Sequence, residues 1–247
     1  MQELFGRHTL RQGMEDIVIN LGPNRLVMGS AGSAFSYKRY VDNKVQAESI
    51  IISDRQDVVI GVFPIPPLWT PKAVSKNVYL KFKSHVILDQ KSESVVYSKI
   101  PIEIGVYRQS GDEELVLDTF SLARQQFALY GPPDTGIVCR FKESEVVTDE
   151  TKIDVKKYEE ALVRIRISNM IDNVVKIGRV IIPMEGVVLD HAHDDAWVPG
   201  SVEMRLDMAF GKDVISIRLL ETKAKRPDKT SLMKKDETLT FLMDAGY

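Results

Sequence analysis

An all-β chain, arranged as two tandem antiparallel β-sandwich domains with few or no helices, is what the sequence predicts, and three observations predict it. First, apolar residues recur at every second position in short runs closed by Gly, Pro, Asn or Asp, which is the period of half-buried strands. Val78, Leu80 and Phe82 alternate with Tyr79, Lys81 and Lys83, and Val163, Ile165 and Ile167 with Arg164, Arg166 and Ser168; both read as antiparallel strands with one solvated face. Second, between residues 142 and 160 the apolar content falls and Lys, Glu and Asp dominate, as in a connection that few contacts cross, which divides the chain into domains 1–145 and 146–247. Third, the halves share a pattern. A strand closing at Pro64 is followed by Trp69-Thr70-Pro71, and a strand closing at Pro183 by Trp197-Val198-Pro199, with an alternating strand after each.

Further strands are expected at 17–19, 50–52, 58–63, 100–107, 115–117, 137–141, 177–182, 202–208, 214–220 and 238–242, while 120–129 fits neither period. Residues 29–33, Gly-Ser-Ala-Gly-Ser, lack the Lys and the following helix of a phosphate loop and read as a flexible turn. The stretch 221–237 holds six basic residues diluted by four acids; it fits a solvated hairpin loop, with a polyanion contact as the alternative.

Composition narrows the function classes. The chain has 247 residues, 44% hydrophobic, enough for each half to bury a core without a staple. Its only cysteine, Cys139, excludes an intramolecular disulfide and suits a reducing cytoplasm. Residues 1–13 offer no signal-peptide core, and no apolar run approaches the ~20 residues of a membrane span, so a cytoplasmic location and no transmembrane segment are expected. The 33 basic and 35 acidic residues nearly cancel, which gives no overall attraction to nucleic acid.

Candidate sites are few. From Gly61 to Trp69 is eight residues but from Gly178 to Trp197 is nineteen, so the second copy carries an extra loop of eleven. That loop holds His191-Ala192-His193-Asp194-Asp195. In an extended segment residues i and i+2 point the same way, so His191 and His193, completed by Asp194 or Asp195, form a candidate site for a divalent transition metal; an exposed polar loop without metal is the competing reading, and no other cofactor is expected. The string echoes the His-x-His-x-Asp start of metallo-β-lactamase-like hydrolases, but Ala196 stands where that motif closes with histidine, and no histidine follows. Trp69 and Trp197 are candidate binding residues at the ends of the sandwiches. Cys139 alternates with Ile137 and Phe141 and reads as buried and structural, and Glu103 reads as an edge or solvent-facing carboxylate. No Ser/His/Asp set, paired catalytic carboxylates or dinucleotide fingerprint is present.

The string Ile100-Pro101-Ile102-Glu103-Ile104-Gly105-Val106, then Asp118-Thr119-Phe120, Ala128-Leu129-Tyr130-Gly131-Pro132-Pro133, Gly136 and Cys139-Arg140, resembles an uncharacterised archaeal family, domain of unknown function 432. Phe63-Pro64-Ile65-Pro66-Pro67 and Phe5-Gly6 extend the likeness over most of the chain. The resemblance implies a cytosolic archaeal protein and brings no activity with it. Within it, Tyr130 and Arg140 flank a proline turn and are read either as a rigid element at the interdomain junction or as a binding pair. The expectation is thus a non-enzymatic binding or assembly module for a protein or small-molecule partner, with self-association left open. The alternative is a metal-binding protein or metal-dependent enzyme using the His191 to Asp195 loop.

Overall fold

The computed structural model describes residues 3–69, 74–111, 113–209, 212–220 and 239–242. Alternating sequence becomes alternating burial, and the described residues form nineteen strands and one 3-10 turn at Glu150–Lys152, capped by Asp149. Sheet 1 has the order β1 (Gly6–Arg11), β6 (Asp57–Ile65), β9 (Glu103–Ser110), β10 (Glu113–Phe120). Sheet 2 is a meander of β2 (Ile17–Leu21), β3 (Asn24–Ala31), β4 (Ala34–Val41) and β5 (Lys44–Ile52). Both are antiparallel throughout. Leu26, Met28, Phe35 and Tyr37 of sheet 2 and Ile60, Val62, Ile104 and Val106 of sheet 1 are completely buried. The Tyr37 hydroxyl and Arg39 Nε both donate to Asp118, at 2.8 and 2.6 Å, and so tie β4 to β10.

Sheet 3 has the order β11 (Phe127–Tyr130), β12 (Ile137–Ser144), β7 (Asn77–Leu88), β14 (Val175–Pro183). Sheet 4 centres on β13 (Glu160–Asn169). One side of β13 pairs β8 (Ser92–Pro101) along its length; the other pairs first β16 (Asp195–Trp197), then β17 (Ser201–Ala209). The sheet continues through β18 (Lys212–Leu220) to β19 (Leu239–Leu242), and β15 (Asp190–Ala192) flanks β16. Sheets 3 and 4 face each other, with the Ser98 hydroxyl of β8 bonded to Ser144 of β12.

The all-β class stands, with differences of detail. Sheets 3 and 4 are mixed: β7 runs parallel to β12, and β13 parallel to β16 and β17, so each of the two clearest alternating strands is paired in parallel on one side. The expected strand 100–107 is two strands in different sheets. Pro101 has no ladder N–H, the Ile102 amide turns to the Glu159 carbonyl at 3.0 Å, and the chain passes from sheet 4 into sheet 1. Two ladders, β7 with β14 and β8 with β13, join strands on either side of the expected boundary at 145/146. The strands equated by the repeat, β6 and β14, pair differently: β6 lies between β1 and β9, whereas β14 is the last strand of sheet 3. Gly29 and Ala31 belong to β3, where a Cβ on Gly29 would collide with the Asp16 carboxylate, so the expected flexible turn narrows to Gly32-Ser33, Gly32 taking φ 63°. The charged stretch 221–237 lies outside the described residues. Among the described residues no helix is long and apolar enough to cross a membrane.

Candidate functional site

The loop nominated for metal is a β-hairpin. Ala192 pairs with Asp195, leaving His193 and Asp194 as a two-residue turn with φ 48° and 68°, the left-handed pair that matches strand twist in tight hairpins. A tight turn at 193–194 breaks the extended geometry on which the i, i+2 argument rests. His191 packs between the rings of Phe5 and Phe63, with centroids at 5.5 and 5.8 Å. His193 is exposed, its Nδ1 3.0 Å from the Glu3 carboxylate, and Asp195 faces Lys157. Asp194 is buried: one carboxylate oxygen accepts from the Leu4 and Phe5 amides, each at 2.9 Å, and the other accepts from the Tyr158 hydroxyl at 2.7 Å. Burial and that bond push the Tyr158 pKa up to about 12, so the hydroxyl stays a donor. The turn therefore clasps the segment entering β1. Among the described residues no three His, Cys, Asp or Glu side chains gather as a metal would require.

The nominated binding residues are separate. Arg140 is 3% exposed and meets Glu103, 0% exposed, at 3.2 Å. The other Glu103 carboxylate oxygen accepts the Trp69 amide at 2.9 Å, and the guanidinium lies 4.9 Å from the Phe127 ring centroid. Burial lowers the Arg140 pKa and the adjacent carboxylate partly restores it. Glu103, expected at an edge or in solvent, is thus the buried anion joining sheet 1 to sheet 3, because its side of β9 is covered by β12 and the Trp69 loop. A second cluster nearby has the same character. Glu160, buried, takes Lys142, Lys99 and the Lys156 amide, linking β12, β8 and β13. Burial alone would raise its pKa, yet these bonds and charges hold it below the usual carboxylate range. Tyr130 packs edge-on against Tyr79 at 5.7 Å under Arg179, and burial raises its pKa. Cys139 is buried as expected, and burial pushes its pKa up to about 11, away from thiolate chemistry. Trp69 is exposed in the loop after β6, and Trp197 is half-buried in β16, opposite Leu162. The Trp-Pro corner at residues 69–71 extends beyond the described residues.

Two features went unread in the sequence. Ile60-Gly61-Val62-Phe63 and Ile104-Gly105-Val106-Tyr107 are matching strings, and β6 and β9 pair them in antiparallel register, Phe63 opposite Gly105 and Gly61 opposite Tyr107. Each ring leans back over the glycine of its own strand, where a Cβ would lie 2.4 and 2.6 Å from it, and the rings come within 6.4 Å of each other. The second feature is Ile50-Ile51-Ile52. A period of two cannot bury three successive isoleucines, so some must face out. Ile51 pairs with Phe35 and is buried, whereas Ile50 and Ile52 are 69% and 84% exposed.

Those isoleucines edge an opening between the first pair of sheets. β5 is the last strand of sheet 2 and β10 the last of sheet 1, so both sheets end side by side with one backbone edge each unpaired among the described residues. The groove between them encloses about 390 Å³ and is walled by Ser49 to Ile52 and by Leu115 to Leu117. Leu115 and Val116 are 61% and 53% exposed. Arg108 lines the floor, its Nε buried without a hydrogen-bond partner. An apolar cleft bounded by open strand edges can bind another extended chain through main-chain hydrogen bonds and apolar side chains.

Fold and groove together define an all-β protein in which, among the described residues, two open strand edges border an apolar groove. The sequence model of a family described as a protein of unknown function (DUF432) matches residues 4–244, and the chain belongs to that family. No curated protein and no solved structure matches it.

Proposed function

We propose that this protein is a non-enzymatic binding or assembly module that holds a polypeptide in the β5/β10 groove. One observation carries the reading: Ile50, Ile52, Leu115 and Val116 are exposed together along two edges that are unpaired among the described residues. Isolated exposed apolar residues are ordinary, but a contiguous strip beside unpaired amides and carbonyls is an association template. Soluble proteins usually blunt such edges with lysine, proline or bulges. Here the bulge after Val116 and the charges of Glu48 and Glu113 leave the aliphatic stretch itself uncharged. A reducing cytoplasm is the setting that the single buried cysteine suggests, and the balanced charge argues against a nucleic-acid ligand.

A photo-crosslinking residue in place of Ile52, compared in the native host with one in place of the also exposed but remote Val174, tests this. Discrete polypeptide adducts from position 52 and none from 174 are the expected result. Equal labelling at both, or none at 52, would end the proposal.

A further inference from the structure

We infer that the occupant of the groove is a second copy of this chain, docked about a two-fold axis parallel to the strands, so that sheet 2 of each copy continues into sheet 1 of the other. The inference rests on the groove being a polypeptide site and goes further by naming the polypeptide. Its first support is the relative level of the two edges. Arg39 and Tyr37, which lie across from Ala47 and Ser49 in the β4–β5 ladder, both bond Asp118, which sets Asp118 level with the stretch from Ala47 to Ser49. Toward the other end, Ser49 to Ile52 face Leu115 to Leu117 across the groove. The two edges therefore run in opposite directions. Rotation by half a turn about an axis along the groove keeps every level and brings β5 of the second copy beside β10, antiparallel, as ladder pairing requires.

The chemistry at matching levels agrees. Ile50 and Ile52 point outward from sheet 2, and Val116, in register with Tyr107, points outward from sheet 1, so Ile50 meets the partner's Val116 on one face. Ile51 and Ser49, on the inner side with Phe35, meet the partner's Leu115 on the other. The facing stretches carry no charge. Beyond Ile52, exposed Arg55 comes to the end of the groove where the partner's Glu113 and Glu114 are exposed. An unrelated peptide would add to one edge and leave the other bare. A second copy pairs both edges in a single self-complementary contact, the economy that makes two-fold association common.

Sedimentation of the purified full chain across the micromolar range decides the matter. A mass of twice 27.9 kDa is expected. Ile52→Lys and Val116→Lys, at exposed positions, should each weaken association by at least ~10-fold, as at the centre of an interface. Arg55→Glu should weaken it less, and Glu113→Arg with Glu114→Arg in the same chain should restore it. A dimer indifferent to Ile52→Lys and Val116→Lys overturns the proposed contact. A monomeric wild type whose position-52 adduct is a different polypeptide overturns the second copy while leaving the groove a binding site; a monomer with no adduct removes both.

Discussion

The junction between sheets 1 and 3 and the groove between β5 and β10 are built to opposite rules. At that junction, and at the neighbouring one between sheets 3 and 4, charged groups have been taken out of water and given partners: Glu103 has Arg140 and the Trp69 amide, and Glu160 has two lysines and an amide. At the groove, apolar side chains and strand edges have been left in water, and the buried Arg108 Nε has no acceptor. Buried ion pairs are costly to assemble and more costly to break, so the first region reads as a fixed joint. Unpaired edges with exposed aliphatics are costly to leave alone, so the second reads as a surface awaiting another chain. Polar residues in a sequence attract functional guesses. In this molecule the conspicuous ones hold the fold together.

The contrast can be broken first at the joint. Arg140→Met leaves Glu103 buried without its cation and should cost about 3–5 kcal/mol of unfolding free energy. Adding Glu103→Gln to Arg140→Met should recover much of that loss in denaturant titrations; no recovery would mean that packing, not charge, dominates there. Next, Asp194→Ala strands the Leu4 and Phe5 amides and the Tyr158 hydroxyl, for an expected cost of about 3 kcal/mol, whereas His193→Ala, at an exposed turn position, should change little. A metal-binding loop would give the reverse ordering in metal content, with His193→Ala losing metal.

Glu160 sharpens the comparison through pH. Its folded pKa is depressed, so its stabilisation is complete above the ordinary carboxylate value and disappears as pH falls through the folded value. Glu160→Gln should therefore cost about 2 kcal/mol at neutral pH, the worth of a charged hydrogen bond, and almost nothing in strong acid. The smallest effect belongs to the groove: Ile52→Lys should leave the unfolding free energy of the single chain within about 0.5 kcal/mol of wild type. A large loss there would make Ile52 part of the core and dissolve the distinction.

Much of the fold was legible because burial here follows period two. Val78 to Phe82 and Val163 to Ile167 are strands with their apolar side inward; Cys139 is buried too, although Ile137, two residues before it, is exposed and the adjacent Arg140 is buried. Pairing was less legible, since nothing in an alternating run says which strand lies beside it; β7 and β13 each acquired a parallel neighbour. Glu103 was misjudged because its cation lies 37 positions away on another sheet, a separation at which sequence gives no distance. The hairpin within the histidine loop was not legible because its two-residue turn falls on His193-Asp194, without the Asn-Gly or Gly-Gly that advertises such turns. Two signals were available and went unused: the paired Ile-Gly-Val-aromatic strings, and a triple isoleucine that no amphipathic strand can bury whole.

Hydrogen exchange followed at low and high protein concentration tests most directly whether the joint is structure and the groove is interface. Amides of Ser49–Ile52 and Leu115–Leu117 should become slower to exchange as concentration rises, while those flanking Glu103, Arg140 and Glu160 stay protected at every concentration. Groove amides that exchange at one rate throughout, or joint amides that change with concentration, would contradict it.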